Sequence, residues 1–318
     1  MGETLLQTKN LVKHFNTPGG PLHAVDGIDI DLPRGSTLGV VGESGCGKST
    51  LGRVLLRLIE PTSGQILFDG KDVMKFRRRQ MAQFRREAGI IFQDPYASLN
   101  SRMTTSEIIE DPLIVNKTYK TAAQRREAVF RMMEMVGLAP RLINSYPHEL
   151  DGGRRQRIGI ARTLVLNPKF VVCDEPVSAL DVSIQAQILN LLMNLQAELG
   201  LTYMFITHDL SVVRHISKEI MVMYMGACVE RSPAKELFRN PIHPYTKALL
   251  AAVPVPRLSD KAKKRQILRG EVTSPVNLAP GCRFAPRCPH VTEKCGYDEN
   301  LNLKDYGGSH FAACAAIG

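Results

Sequence analysis

A glycine-rich stretch follows a short apolar run and carries the residue types that bind a polyphosphate. The apolar run is 38–41, and the stretch is Gly42, Glu43, Ser44, Gly45, Cys46, Gly47, Lys48, Ser49 and Thr50. Glycines let backbone N–H groups turn toward phosphate oxygens, a lysine reaches the outer phosphates, and the next hydroxyl binds Mg²⁺. The alternative interpretation is a simple glycine-rich turn between a strand and a helix, which accounts for the glycines but not for the lysine and serine that follow them. The stretch, with Lys48 and Ser49 at this spacing, predicts a nucleoside triphosphate site.

Two acidic residues directly follow a second apolar run. Residues 170–173 are apolar and lead directly into Asp174 and Glu175. An acid delivered by a buried strand to a phosphate-loop site holds Mg²⁺, and a second carboxylate beside it can orient and deprotonate water. We therefore expect Asp174 to be a metal ligand and Glu175 to be the general base. The alternative interpretation is an ordinary acidic turn after a strand.

The elements that must position these residues alternate between strand and helix patterns. Helical spacing after the phosphate loop continues until Pro61, a strand follows at 65–69, and a helical stretch runs from 121 to 136. Buried strands are expected at 170–173 and 203–206, separated by a helix that Gly200 ends. Gly42, Asp174 and His208 follow strand ends, where open α/β sheets bind ligands. The pattern predicts a parallel sheet with helical crossovers.

Composition indicates a globular chain with one large core and a smaller appended one. The chain has 318 residues, of which 44% are hydrophobic and 23% charged, with a formal net charge of +10. No apolar run approaches the roughly 18 residues of a membrane span, and the start lacks a leader pattern. We expect a cytosolic protein unless a partner holds it at a membrane. The basic patches lack interleaved aromatic residues, so we expect solvated faces and no nucleic-acid partner.

Three further motifs identify a family resemblance. They are Leu150 to Arg157, Ser178 to Asp181, and Thr207 to Asp209. With them, the chain from about residue 5 to 240 resembles the ATP-binding subunit of ABC transporters. The resemblance implies an α/β P-loop NTPase cassette over 1–240, with a parallel-sheet core, an antiparallel β subdomain and an inserted α-helical subdomain at about 94–160. An irregular, cysteine-containing C-terminal extension over 241–318 follows.

The resemblance also implies a role for individual residues around ATP and Mg²⁺. Phe15 matches the aromatic residue that stacks on adenine, although a strand-end core residue is a nearly equal alternative interpretation. Gln93 matches the glutamine that senses Mg²⁺ and contacts the membrane subunits. The remaining implied roles are Mg²⁺ binding by Ser49, Gln93 and Asp174, base catalysis by Glu175, a D-loop aspartate at Asp181, and a γ-phosphate switch at His208.

The signature segment departs from the family pattern of Leu-Ser-Gly-Gly-Gln. Here it contains Asp151, Gly152, Gly153 and Arg154, so an aspartate replaces the serine and an arginine the glutamine. An ionised aspartate only accepts hydrogen bonds and brings negative charge toward a nucleotide, which Arg154 could offset. As an N-cap, Asp151 would also occupy backbone N–H groups. We expect a heterodimer in which the ATP site facing this signature hydrolyses more slowly.

The C-terminal extension indicates which group of ABC transporter ATPases the chain resembles. Residues 240–250 and 281–289 resemble the extension of oligopeptide and dipeptide importer ATPases, a group that includes some nickel importers. This implies peptide import at the cytoplasmic face of the cell membrane, as a peripheral subunit. The implied partners are a second ATP-binding subunit, two transmembrane permease subunits and an extracytoplasmic substrate-binding protein. Import of nickel or another small solute is the alternative, followed by a soluble ABC ATPase that does not serve transport.

Four of the seven cysteines lie in the extension. They are Cys282, Cys288, Cys295 and Cys314. Disulfides are not expected in a cytosolic chain, and this proline-rich segment has few apolar residues from which to build a core. The spacing lacks the C-x2-C pairs common in zinc modules. The segment resembles the cysteine motif that carries a [4Fe-4S] cluster in some peptide-importer ATPases. We expect that cluster, with Zn²⁺ as second choice and unligated structural thiols as third.

Overall fold

The computed structural model describes residues 3–252, 275–278, 280–297 and 302–316. The strands are β1 (Thr4–Thr17), β2 (Gly20–Pro33), β3 (Thr37–Val41), β4 (Ser63–Phe68), β5 (Lys71–Asp72), β6 (Ala88–Ile91), β7 (Phe170–Asp174), β8 (Thr202–Thr207), β9 (Glu219–Tyr224), β10 (Ala227–Pro233), β11 (Lys304–Asp305) and β12 (Phe311–Ala312). The helices are α1 (Lys48–Leu55), α2 (Arg78–Glu87), α3 (Pro95–Ser98), α4 (Thr105–Val115), α5 (Ala122–Met135), α6 (Gly152–Leu164), α7 (Val182–Leu199), α8 (Leu210–Ile216), α9 (Ala234–Arg239), α10 (Pro244–Ala252) and α11 (Lys294–Tyr297).

The described residues form two compact units, each assembled from separate stretches of the chain. The first unit contains Leu32–Ser36 and Phe68–Phe205, together with the described residues up to Leu5. The second contains Leu6–Asp31, Thr37–Leu67 and the described residues from Ile206 onward.

The first unit contains a parallel pair of strands. β6 and β7 pair in parallel, with Ala88 opposite Phe170 and Ile91 opposite Cys173, and β8 is the other neighbour of β7. All residues of β7 and β8 are buried. Continuous apolar strands of this kind are typical of parallel sheets covered on both faces. The predicted parallel-sheet core is confirmed, and its two predicted strands each differ from the observed bounds by one residue at one or both ends.

Helices α3 to α6 form the helical part of the first unit. α4 contacts both α5 and α6, and α3 contacts α6. Thr104 and Thr121 start α4 and α5 with reciprocal capping boxes, in which the hydroxyl accepts an N–H of the first turn. The helix predicted at 121–136 is α5, which begins just after Thr121 and ends at Met135.

The second unit contains an antiparallel sheet as well as further parallel strands. β1 and β2 are neighbours in the sheet and are joined by only two residues. A connection this short can join only antiparallel strands, because parallel strands need a long crossover. β3 and β9 pair in parallel, with Leu38 opposite Glu219. β10 pairs antiparallel with β9 and with the short strand β12 near the C-terminus. The extension therefore adds two short strands, β11 and β12, that the sequence analysis did not anticipate.

The helix after the phosphate loop is shorter than predicted. We expected helical spacing to continue to Pro61, but α1 ends at Leu55 and Leu56 is its C-cap. Arg57 has a φ of 51°, a left-handed conformation that an α-helix cannot continue through. Leu58, which would lie on the apolar face if the helix continued toward Pro61, is 52% exposed.

None of the helices in the described part of the chain has both the length and the apolar character needed to cross a bilayer.

Candidate active site

The phosphate loop connects β3 to α1 in the second unit, and two of its glycines cannot be replaced without a clash. Gly42 and Gly47 have φ values of 155° and 105°, which side-chain-bearing residues rarely adopt. A Cβ atom at Gly47 would lie 1.9 Å from the carbonyl oxygen of Ala24, and one at Gly42 would lie 2.2 Å from that of Met223. The loop backbone is therefore fixed by contacts on its outer side.

Lys48 points back into this loop. Its side chain is buried, and Nζ donates hydrogen bonds to the carbonyl oxygens of Gly42 at 2.8 Å and Glu43 at 2.9 Å. The same residue begins α1, so the positive end of that helix faces the loop. Burial raises the pKa of the neighbouring Cys46 thiol, which keeps it neutral at physiological pH. The loop thus combines an ammonium group with a helix N-terminus, which are features of an anion site.

Two other predicted nucleotide residues lie in the second unit. Phe15 is half-buried on β1, with Lys13 Nζ 4.8 Å from its ring centroid. His208 is exposed and directly follows β8, and Asp209 then caps α8 by accepting the N–H of Ser211 at 2.8 Å.

The predicted catalytic carboxylate lies in the first unit, next to Gln93. Asp174 is the buried last residue of β7, and Glu175 follows it with a φ of 47°. A left-handed backbone at a residue other than glycine stores strain, and such strain clusters at functional sites. Gln93 Nε2 donates a hydrogen bond to Glu175 Oε2 at 3.0 Å. The fold therefore brings together two predicted residues that are 82 positions apart.

The signature segment starts α6. Asp151 is the N-cap, and its carboxylate accepts the backbone N–H of Arg154 at 2.8 Å. The Arg154 guanidinium Nε also lies 3.3 Å from the same carboxylate, so the negative charge has a partner. A Cβ at Gly153 would lie 2.8 Å from Ile184 Cγ2 on α7, which Asp181 precedes as N-cap. The start of α6 is thus packed closely on the start of α7.

The four predicted cysteine ligands lie in one neighbourhood of the second unit. The backbone N–H of Cys282 donates to the carbonyl oxygen of Cys295 at 2.8 Å, and the thiols of Cys295 and Cys314 are buried. Burial, and then the proximity of the Cys295 and Cys314 thiols, raises the pKa of both Cys282 and Cys288. Thiols that disfavour one another's ionisation lie close together, so the fold brings Cys282 and Cys288 near Cys295, which lies on α11, and Cys314, which follows β12.

A second group of side chains has the types that bind metals. Asp26 accepts hydrogen bonds or ion pairs from His14 at 3.2 Å and His23 at 3.0 Å. No spacing pattern in the sequence identifies this group. The guanidinium of Arg283, next to Cys282, also pairs with the Asp26 carboxylate. Because Asp26 already has a cationic partner, this group is explained as a polar network between β1, β2 and the extension.

Two residues of the extension contact the phosphate loop, and the sequence analysis did not predict either contact. Tyr245 on α10 and Arg287 both bond to Glu43, across 202 and 244 positions of sequence. No one-dimensional spacing pattern links residues so far apart. The signal in the sequence is the glutamate itself, because it adds a negative charge to a loop expected to bind a polyanion and so favours a compensating cation from elsewhere in the chain.

The fold and the phosphate loop define a P-loop nucleoside triphosphatase. The profile of the ABC transporter family matches residues 25–178, and that of the oligopeptide/dipeptide transporter C-terminal region matches residues 229–295. The chain belongs to the ABC transporter family and is an ABC-type ATPase.

Curated relatives match almost the whole chain. A dipeptide transport ATP-binding protein of Haemophilus influenzae, DppF, is 52% identical over 98% of this chain and 97% of its own length. An oligopeptide transport ATP-binding protein of Bacillus subtilis, AppF, is 48% identical over 98% of this chain and 97% of its own length. Among solved structures, the dimeric post-hydrolysis state of the cassette MJ0796 with ADP and Pi superposes with a TM-score of 0.66 at 28% identity, covering 72% of this chain and 99% of that one.

Proposed function

We propose that this chain binds and hydrolyses ATP to power the import of peptides across the cytoplasmic membrane. The observation that carries the proposal is the presence in one chain of the ABC cassette and the oligopeptide/dipeptide transporter C-terminal region. Relatives that match both parts over nearly their whole length are named for oligopeptide or dipeptide transport. The chain would act as a peripheral subunit on the cytoplasmic face of the membrane.

The proposed assembly contains a second ATP-binding subunit, two transmembrane permease subunits and an extracytoplasmic substrate-binding protein. A dimeric arrangement is supported by the MJ0796 cassette, whose post-hydrolysis structure is a dimer. A heterodimer is supported by Asp151, whose carboxylate caps α6 where the family has a serine hydroxyl able to donate. ATP closure of the two cassettes would shift the permeases between facing states, and hydrolysis would reset them.

Each predicted residue has a task in ATP hydrolysis. The phosphate loop and Lys48 would bind the polyphosphate, and Phe15 would stack on the base. Mg²⁺ neutralises charge on the phosphates when it is bound, and hydroxyl and carboxylate oxygens such as those of Ser49 and Asp174 suit this ion. Glu175 would accept a proton from the attacking water, with its carboxylate held by the Gln93 amide. His208 would contact the γ-phosphate.

The four cysteines of the extension support a metal centre, which we propose to be a [4Fe-4S] cluster held by Cys282, Cys288, Cys295 and Cys314. The burial of Cys295 and Cys314 and the half-burial of Cys282 and Cys288 fit a group bound within the extension. Their spacing lacks the C-x2-C pairs common in zinc modules, which favours the cluster over a single Zn²⁺. Its chemistry would be structural or one-electron redox.

Anaerobic purification tests the metal centre directly. The purified chain should contain iron and acid-labile sulfide in near-equal amounts, and replacement of Cys295 by serine should remove both. A control substitution of Cys228, which lies outside the cluster and is half-buried on β10, should leave the iron content unchanged. Stoichiometric zinc without iron would overturn the cluster, and four freely reactive thiols without metal would overturn the site.

Copurification tests the proposed assembly. Mild extraction of the tagged chain from its native membranes should recover a second ATP-binding subunit and two polytopic proteins, and the bound substrate-binding protein should carry a peptide. Recovery of ribosomes instead would contradict transport. If the substrate-binding protein carries nickel, the proposed assembly stands, but the transported substrate is nickel and not peptide.

A further inference from the structure

The C-terminal extension holds the side chain of Glu43, the second residue of the phosphate loop. Arg287 donates from Nη1 to Glu43 Oε2 at 2.7 Å and from Nη2 to Oε1 at 3.0 Å. Such two-pronged pairs are stronger and more directional than single ionic hydrogen bonds. The Arg287 side chain is only 6% exposed and that of Glu43 22%, so water and salt screen this pair less than an ordinary surface pair.

The extension also holds the backbone of the same residue. The Tyr245 hydroxyl on α10 accepts the backbone N–H of Glu43 at 2.8 Å. Tyr245 is fully buried, and its ring lies 4.7 Å from that of Tyr224 and 5.4 Å from that of Phe284, centroid to centroid. Phe284 belongs to the same turn as Arg287, whose guanidinium lies over the Tyr224 ring at 5.9 Å. These aromatic contacts fix Arg287 on the loop.

Glu43 would oppose nucleotide binding if its charge had no partner. Its carboxylate belongs to the loop whose carbonyl oxygens already receive the Lys48 ammonium group. An unpaired carboxylate at this position would repel the phosphates of ATP and compete with them for Lys48. Arg287 offsets this charge, since two of its N–H groups donate to the two carboxylate oxygens.

We propose that Arg287 is a positioning residue for the phosphate loop, through which the C-terminal extension sets the affinity of this chain for ATP. The proposal rests on the phosphate loop being the ATP site. It gives the extension a role in nucleotide binding in addition to any metal centre. Arg287 immediately precedes Cys288, so the turn that carries a proposed cysteine ligand also carries the loop's counter-ion.

Nucleotide affinity of charge variants tests this role. The dissociation constant of Mg-ATP is measured for the full chain and for Arg287→Gln, Glu43→Gln and the double variant. Arg287→Gln should bind ATP about tenfold more weakly, the lower end of the coupling found between close charge pairs. Glu43→Gln should bind at least as tightly as the unmodified chain. The double variant should recover most of the loss, a recovery that simple structural damage would not show.

Two controls separate the possible failures. Arg283→Gln changes the same residue type in the same segment, but its carboxylate partner is Asp26, so ATP affinity should be unchanged. Lys48→Ala should weaken ATP binding, and unchanged binding in that variant would overturn the phosphate loop as the ATP site. If Lys48→Ala weakens binding but Arg287→Gln does not, only the role of Arg287 is overturned. Where Arg287→Gln does not fold, Arg287→Lys with and without Glu43→Gln gives the same test, and failure of Glu43→Gln to restore affinity contradicts it.

Discussion

Because of His243, just before α10, we expect the free energy of unfolding of this protein to fall in acid. The residue is fully buried, and its Nδ1 accepts the backbone N–H of Tyr245 at 3.1 Å, so the imidazole acts as the cap of the helix. That nitrogen can accept only when it carries no proton. Burial, and to a smaller extent the positive charge of Lys247, lowers the pKa of His243 from 6.5 to about 4.

The sign and size of the effect follow from proton linkage. Between pH 6.5 and about 4 the unfolded chain binds a proton at His243 that the folded chain excludes. The stabilisation is therefore fully present above pH 6.5 and decreases as the pH falls toward 4. The two pKa values correspond to about 3 kcal/mol in total, of which about 2 kcal/mol is lost between pH 7 and pH 5. Protonation would also place a cation at a helix N-terminus, which is unfavourable.

The variant His243→Asn isolates this contribution. Asparagine keeps a side-chain oxygen for the helix cap but does not titrate. The free energy of unfolding is measured with urea at pH 7 and pH 5 for both chains. The unmodified chain should lose about 2 kcal/mol more than His243→Asn over this interval. His215→Asn, which removes an exposed histidine, should behave like the unmodified chain. An equal loss in the unmodified chain and in His243→Asn would refute the argument.

Three further predictions concern catalysis, asymmetry and packing. In the assembled complex, Glu175→Gln should retain ATP binding and abolish single-turnover hydrolysis at the site formed by this phosphate loop, and normal cleavage would exclude Glu175 as the base. The double substitution Asp151→Ser with Arg154→Gln keeps an N-cap at the start of α6, so stability should change by only a few tenths of a kcal/mol while hydrolysis at the partner subunit's phosphate loop rises. Unchanged hydrolysis would make the departure a tolerated variant. Phe284→Ala should cost about 3–5 kcal/mol in unfolding free energy, since the buried ring packs on two tyrosines, and a loss below 1 kcal/mol would contradict this packing.

Features that depend on contiguous residues could be predicted from the sequence. The phosphate loop is one example, since its glycines, Lys48 and the flanking strand and helix lie within a single short stretch. The end of α7 is another, because Gly200 adopts the left-handed conformation that closes a helix. Local backbone chemistry determines both features, so neither required knowledge of the tertiary structure.

Features that depend on distant residues could not be predicted in the same way. The bond between Gln93 and Glu175 requires β6 and β7 to lie side by side, and the family resemblance alone suggested a shared site. The pairing of β12 with β10 involves only two residue pairs, too few to leave an alternating pattern. The early end of α1 results from the left-handed Arg57, a residue type that gives no such signal.

Reconstitution in vesicles tests whether ATP hydrolysis by this chain drives peptide import. The copurified complex is inserted with this chain and ATP on the outside, and with the substrate-binding protein and labelled peptide inside. Peptide should move to the outside only with ATP, and peptide should stimulate ATP hydrolysis, and both effects should be abolished when this chain carries Glu175→Gln. Peptide movement that persists with Glu175→Gln, or vigorous ATP hydrolysis that no peptide stimulates and that moves none, would show that hydrolysis by this chain does not drive import.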